Sequence, residues 1–470
     1  MIKGLLLGRI IVDQNQNLKE RALMQKNNID SPNLKEIEQL LWRELQATFS
    51  TVMKTMLEDM DQQIAEQRDK KRYRLLDKRK THIDSLFGQV EIKRNYYRDK
   101  EKEEYVYLLD RHLEFEGAGN FSPLIEEAAL ELAITGPAYR KAANTLETLL
   151  GYRVISHEAI RQHLLEITSI PKAKEPIHGP VLFVEVDGLY VKRQGKGKRG
   201  KEEKIAAVHQ GWEVNGKRVS LKGKRHFVHR GKQPFWEAFE EFLIETFEYE
   251  PTVHKLVING DGANWITACR EHFKGRAFFT LDRFHVAREL RSLFLHHPRY
   301  RSVRMALAKY DSHKLLVELN SAIGTLETES QEERLEGFIR QLEKYTEALT
   351  DYRKWLKEQG VSTEGMRPMG SAEGTMSVLA KRLKNGRSWV EKGVSAMMTG
   401  MVAYMDQLTI KTLFGRVERW TETTVEKNPP KHYVEKIKNT IGEATRGNIP
   451  YRRGKANIPV YHALTTLVGL

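Results

Sequence analysis

Val181-Leu-Phe-Val-Glu-Val186 runs straight into Asp187 and continues as Gly188-Leu-Tyr-Val191. A near-continuous apolar run of this length predicts a hydrophobic strand, with Asp187 inside it. Working outward, further strands are expected at Lys204–Val214 and Arg225–His229. An amphipathic helix follows over 234–247, carried by Phe235, Trp236, Phe239, Phe242 and Leu243. The run Lys255-Leu-Val-Ile258 predicts a fourth strand ending at Asn259-Gly-Asp-Gly262. A short helix is expected around Trp265 to His272, and then a fifth strand, Arg276-Ala-Phe-Phe-Thr-Leu281, which ends at Asp282.

The order β-β-β-α-β-α-β predicts an α/β, ribonuclease H-like domain. Residues 180–283 form its first part and residues 366–400 its last, around an inserted all-helical segment at 284–365. Ahead of the core an α+β N-terminal region is expected. Residues 1–80 are helical and a candidate dimerisation element, with Leu34, Ile37, Leu41 and Leu45 on one stripe. Residues 81–170 carry a small β-meander and then two short helices about Gly151, read either as a helix-turn-helix with Arg161 facing DNA or as a plain helical hairpin. Residues 401–470 are a helical, basic C-terminal region.

The chain has 470 residues, 77 Lys plus Arg against 63 Asp plus Glu, and a single cysteine, Cys269. One cysteine excludes a disulfide framework and any cysteine-built zinc or iron–sulfur site. No membrane span or signal peptide is expected, because Met1–Val12 is broken by Lys3, Gly4, Gly8 and Arg9. A cytoplasmic protein with a polyanionic partner is the expectation. The charge surplus is local: Lys192–Lys232 holds 14 Lys/Arg and three Glu. Lys192, Arg193, Lys196, Lys198, Arg199, Lys222, Lys224 and Arg225 are the candidate phosphate contacts. Arg387 and Trp389 are candidates for a phosphate contact and a stacked base, Trp389 being equally readable as core.

Two carboxylates stand out from the many. Asp187 lies inside an apolar strand, and Asp261 just past the end of another, beside two glycines. Strands one and four are neighbours in the expected sheet, so the two acids converge near its strand ends. Paired carboxylates suit hard divalent cations, here two Mg²⁺ with Mn²⁺ as a substitute. Glu373, in the small-residue segment Ser371-Ala-Glu-Gly374, is the expected third ligand. Three such acids make a site for in-line phosphoryl transfer. Asp282 and His285 form an accessory pair, either structural, holding a helix to the sheet, or in contact with the metal site or the DNA.

Val184-Glu-Val-Asp187-Gly, Ile258-Asn-Gly-Asp261-Gly-Ala, Asp282-Arg-Phe-His285, Ser371-Ala-Glu373-Gly and Arg382-Leu-Lys-Asn-Gly-Arg-Ser-Trp389 together resemble bacterial insertion-sequence DDE transposases. The resemblance is to the ISLre group within the mutator-like superfamily. It extends over roughly residues 30–400 and includes Leu86-Phe-Gly-Gln-Val-Glu-Ile-Lys-Arg94 and Leu108-Leu-Asp110. It implies Asp187, Asp261 and Glu373 as the catalytic triad, with Asp282 and His285 matching the family's Cys/Asp-x-x-His motif. A cysteine–histidine zinc finger has no counterpart near the N-terminus.

The expected function is a DNA transposase that binds terminal inverted repeats and target DNA as a homodimer or larger synaptic assembly. A nuclease of the same fold, which cuts without joining, and a catalytically inactive DNA-binding protein are the alternatives.

Overall fold

The computed structural model describes residues 33–113, 121–167, 174–195 and 199–408. Lys196, Lys198, the N-terminal residues before Asn33 and most of the expected C-terminal region lie outside the described residues. The described chain divides into two units. The first holds residues up to Glu126 together with Asn144–Ile155, and the second holds Glu127–Ala143 and the residues from Ser156 onward.

In the first unit a helix spans Leu34–Gln67. It starts in a capping box: the Asn33 side chain accepts from the Glu36 amide at 3.1 Å, and the Glu36 carboxylate accepts from the Asn33 amide at 3.0 Å. Strands β1 (Tyr73–Ser85), β2 (Gly88–Asp99) and β3 (Glu104–Val106) form an antiparallel sheet. Met53, Leu57, Met60 and Ile64 of the helix pack with Ile83, Val90, Ile92 and Leu109. Buried Asp61 pins helix to sheet by accepting from the Asn95 amide at 2.9 Å. β1 begins at Tyr73, ahead of the expected meander. Its first half is exposed on nearly every residue, so no apolar alternation announced it. Leu34, Leu41 and Leu45, on the first turns of the long helix, are exposed.

Helices Pro123–Thr135, Tyr139–Leu150 and His157–Glu166 follow, and the division between the units runs through the first two. Ser156 caps the third, accepting from the Ala159 amide at 3.0 Å.

The second unit is a mixed α/β structure. Its strands are β4 (Val181–Val191), β5 (Lys201–His209), β6 (Trp212–Asn215), β7 (Arg218–Leu221), β8 (Arg225–Val228), β9 (Lys255–Gly260) and β10 (Ala277–Leu281). Five of them form one sheet in the order β10-β9-β4-β5-β8. β4 pairs antiparallel with β5, and β5 with β8; β9 is parallel to both β4 and β10. The single strand expected over Lys204–Val214 divides into β5 and a separate β6–β7 hairpin. The break is Gly211, whose φ of +118° turns the chain out of the sheet.

β4 is buried on both faces. Val184 and Val186 join the core of Phe239 and Leu243 from helix Phe235–Phe247, whereas Leu189 and Val191 pack with Met376, Leu379 and Leu383 of helix Ala372–Leu383. Each such aliphatic side chain taken from water stabilises by about 1.5–3 kcal/mol. Between β10 and that last helix lie five α-helices, Arg283–Phe294, Tyr300–Ala308, Ser312–Asn320, Glu329–Lys344 and Tyr352–Glu358, and one short 3-10 helix, Glu347–Leu349. Cys269 is buried, and burial pushes its thiol up to about 12, so it is an inert core residue. Among the described residues no helix is long and apolar enough to cross a membrane.

Candidate active site

The parallel pairing of β4 with β9 stops at Glu185 opposite Asn259. β4 runs on alone on that side, so Asp187 stands just beyond the end of the neighbouring strand, which then delivers Asp261. Ligands in open α/β sheets gather at such strand ends. The local sequence permits the approach. A Cβ on Gly260 would lie 2.6 Å from Ile266, and Gly262 takes a φ of +90° that favours glycine. One Asp261 oxygen accepts from the Ala263 amide at 2.9 Å, opening the short helix Asn264–Thr267.

β10 ends at Asp282, whose own amide donates to the Gly260 carbonyl at 2.8 Å. One Asp282 oxygen caps helix Arg283–Phe294 through the Phe284 amide at 2.9 Å, and the other engages Nδ1 of His285 at 2.9 Å. The hydrogen bond to Asp282 raises the His285 pKa, and the charges of Asp282 and Asp187 add to the rise. Burial pushes the Asp187 carboxyl up, and Asp261 and Asp282 push it further; the Gly188 amide, donating at 2.7 Å, pulls the other way. Asp187, Asp261, Asp282 and His285 therefore share one electrostatic neighbourhood.

Beside this group an open cleft of about 330 Å³ is lined by Asp261, His285, Arg288, Glu289, Arg334 and Gln341. The last two come from helix Glu329–Lys344, so the helical segment builds one wall. By donor type Asp187 and Asp261 fit a hard divalent cation, and the like charges around Asp187 are a setting that a cation would relieve. Among the described residues, however, no group of three or more His, Cys, Asp or Glu stands as a metal cage.

Glu373 is exposed on the first turn of helix Ala372–Leu383 and, among the described residues, does not gather with Asp187 and Asp261 into a group of three acids. The helix start is fastened to β4 by a residue that sequence reasoning passed over. Glu185, buried to 1% exposure, accepts from the Ala372 amide at 2.7 Å, the Ser371 hydroxyl at 2.8 Å and the Gly370 amide at 3.2 Å. A glutamate inside an apolar strand was the available signal, since a lone buried carboxylate needs donors. Lys224 fastens the same turn, donating to the Thr375 hydroxyl at 2.9 Å, and its burial lowers its pKa.

The basic residues scatter. Lys192, Arg199 and Lys222 are exposed. Two expected DNA contacts are instead buried. Arg193 pairs with Glu203 and, at 2.7 Å, with Glu391. Trp389 lies in the core with Met376 and Leu383, and its indole N–H donates to the Leu383 carbonyl at 2.9 Å. Arg387 donates to the carbonyls of Lys381 and Arg382 at 3.1 and 3.0 Å, closing the C-terminal end of helix Ala372–Leu383. Arg225 pairs with Glu175, and Arg161 with Glu158 one turn back.

A mixed α/β protein with acids gathered at parallel strand ends is the class this geometry defines. Residues 27–421 match the family described as "Uncharacterised protein family (UPF0236)", and the chain belongs to that family. A UPF0236 protein in the vanSb 3′ region of Streptococcus gallolyticus is 28% identical over 391 residues, covering 80% of this chain and 84% of that one. Two UPF0236 proteins of Caldanaerobacter subterraneus subsp. tengcongensis are 23% and 24% identical, covering 88% and 77% of this chain and 87% and 74% of their own lengths. The name of the second joins eleven locus designations.

Membership of UPF0236 corrects the resemblance drawn from the motifs: the chain does not belong to the ISLre group of mutator-like transposases, which is a different family. The physical reason is that acid-centred segments such as Val184-Glu-Val-Asp187-Gly are short, and strand-end acids recur wherever a sheet carries a polar site.

Proposed function

We propose that this chain is a metal-dependent phosphoryl-transfer enzyme acting on DNA, cutting strands and joining the new ends as a DNA transposase does. The observation that carries the reading is the pairing of β4 with parallel β9, which brings Asp187, inside β4, beside Asp261, just past the end of β9. The sheet order supports a ribonuclease H-like core: three antiparallel strands, β8, β5 and β4, extended by parallel β9 and β10. The helical segment before Ala372 and the exposed basic residues are consistent with a large polyanionic substrate. Eleven loci under one protein name in one genome are what mobile DNA leaves behind, which favours strand joining over cutting alone.

Asp187, Asp261 and Glu373 would hold Mg²⁺, or Mn²⁺ in its place. Bound there, the ions would activate an attacking water or 3′-hydroxyl and stabilise charge on the leaving oxygen. His285, held by Asp282 and raised in pKa, carries a proton on Nε2 that can meet a phosphate oxygen. Arg288 lies along the cleft where the adjoining backbone would run, with Arg334 beside it in an ion pair with Glu289 at 2.7 Å. Joining two DNA ends calls for two copies of the site, hence at least a homodimer.

The test is strand cleavage of a labelled duplex spanning the DNA that flanks the gene, with Mg²⁺ and then Mn²⁺. The native chain should cut, whereas Asp187→Asn and Glu373→Gln should bind with cutting reduced by about a hundredfold or more. A native chain that binds this duplex and never cuts it sinks the reading.

A further inference from the structure

Helix Ala372–Leu383 has an unusual start. Ser371 occupies the cap position, yet its side chain caps nothing in its own helix. Its φ of −87° and ψ of −10° are already helical, whereas capping serines adopt extended backbone. The amides of a first turn still need acceptors. The first of them, that of Ala372, finds one on Glu185, 187 residues earlier: Oε2 takes the Ala372 amide at 2.7 Å, and Oε1 takes the Ser371 hydroxyl at 2.8 Å and the Gly370 amide just ahead of the helix at 3.2 Å.

We propose that Glu185 is a positioning residue: from strand β4 it caps the helix that carries Glu373 and so fixes where the first turn bearing Glu373 stands relative to β4.

This rests on the phosphoryl-transfer reading above. The geometry is direct. Glu185 and Asp187 are two residues apart in one strand, so both point to the same face, about 6.6 Å apart along it. That is the face on which Leu189 and Val191 pack against Met376 and Leu379 of the helix. Glu373 directly follows the capped Ala372 amide. The strand that holds one candidate ligand thus grips the helix one residue before another. Lys224 on Thr375 is a second tie to the same turn. Asn259 and His209 flank Glu185 on the neighbouring strands, with His209 Nε2 3.9 Å from its carboxylate. The surroundings leave Glu185 no role as a ligand itself, because both its oxygens are taken by the helix start.

The test uses the full chain and three readouts: amide hydrogen exchange, DNA binding, and the kcat and KM of cleavage. In Glu185→Gln an amide NH₂ meets a donor of the helix start head-on. Exchange at Ala372–Thr375 should quicken while Leu379–Leu383 stays protected. Binding of the flanking duplex should stay within about twofold, and kcat should fall about tenfold or more at nearly unchanged KM. Glu185→Asp keeps the charge and should recover part of kcat. The loss should vanish in a Glu373→Gln background, since the effect runs through Glu373. If Glu185→Gln does not fold, Ser371→Ala removes only the hydroxyl contact and should move exchange and kcat in the same directions by about threefold. Unchanged exchange at the first turn overturns the cap. Faster exchange with unchanged kcat overturns the positioning role. A native chain that never cuts, with exchange still quickened in Glu185→Gln, sinks the phosphoryl-transfer reading and the positioning role with it, while the cap alone survives.

Discussion

Glu185 and Asp187 stand two residues apart on one strand and titrate in opposite directions. Burial acts to raise both. Around Glu185 it is outweighed by donors, His209 and Ser371 foremost, and the carboxyl is held down at about 2. Around Asp187 burial is joined by the charges of Asp261 and Asp282, and the carboxyl rises. The consequence for stability follows from the sign of each shift. A carboxyl lowered on folding stabilises above its unfolded value and loses that contribution as pH falls toward its folded one. Glu185 should therefore contribute to an acid transition between about pH 4.5 and about 2. Glu185→Gln should show a shallower fall in Tm across that window by circular dichroism; an unaltered slope counts against the buried cap. Asp187 has the opposite sign, so the fold bears a cost for keeping it charged, as polar sites commonly do.

At the level of the element, helix Ala372–Leu383 is closed at both ends by residues outside it. Glu185 takes its first amide, that of Ala372, and Arg387 donates to the carbonyls of Lys381 and Arg382 near its end. Trp389 completes the closure: its indole N–H meets the Leu383 carbonyl, and its backbone pairs with Lys192 and Gln194 at the end of β4. Trp389→Ala should cost about 3–5 kcal/mol in urea unfolding, the range for removing a buried aromatic side chain. Duplex affinity per folded molecule should be unchanged. A variant of native stability with weakened binding would return Trp389 to the DNA-contact role that its place in the sequence had suggested.

For the whole molecule the decisive quantity is how its positive charge is spent. Of the cluster between Lys192 and Lys232, Arg193 and Arg225 are consumed in ion pairs and Lys224 in a hydrogen bond to Thr375, whereas Lys192, Arg199 and Lys222 remain exposed. Exposed cations that meet phosphates release counterions, so duplex affinity should fall steeply with salt. Replacing Lys192 and Lys222 together with Gln should reduce the slope of log affinity against log salt by about two. Arg193→Gln should instead lower Tm and leave the slope alone, because its charge is already neutralised inside the fold. Equal slopes for all three proteins would remove the basic strand ends from the DNA-binding surface.

The strands were largely legible in the sequence because their signal is local. Apolar runs mark β4, β9 and β10, and along the chain they place Asp187 inside the first and Asp261 and Asp282 just past the ends of the other two. β6 and β7 were not legible, since nothing before Gly211 distinguishes one long strand from two short ones until the chain turns. The family was not legible in the motifs either; it took a match over residues 27–421 to assign it.

The sequence by itself determined which residues carry charge, where apolar runs make strands, and that a single cysteine leaves no room for a thiolate metal centre. Only the tertiary structure decided which acid is a cap and which faces a cleft, and which basic residues face water. Glu185 and Asp187 look alike along the chain. What separates them is the company brought by residues 259–285 and 370–375, and that company is set by sheet order and helix packing rather than by any neighbour in sequence.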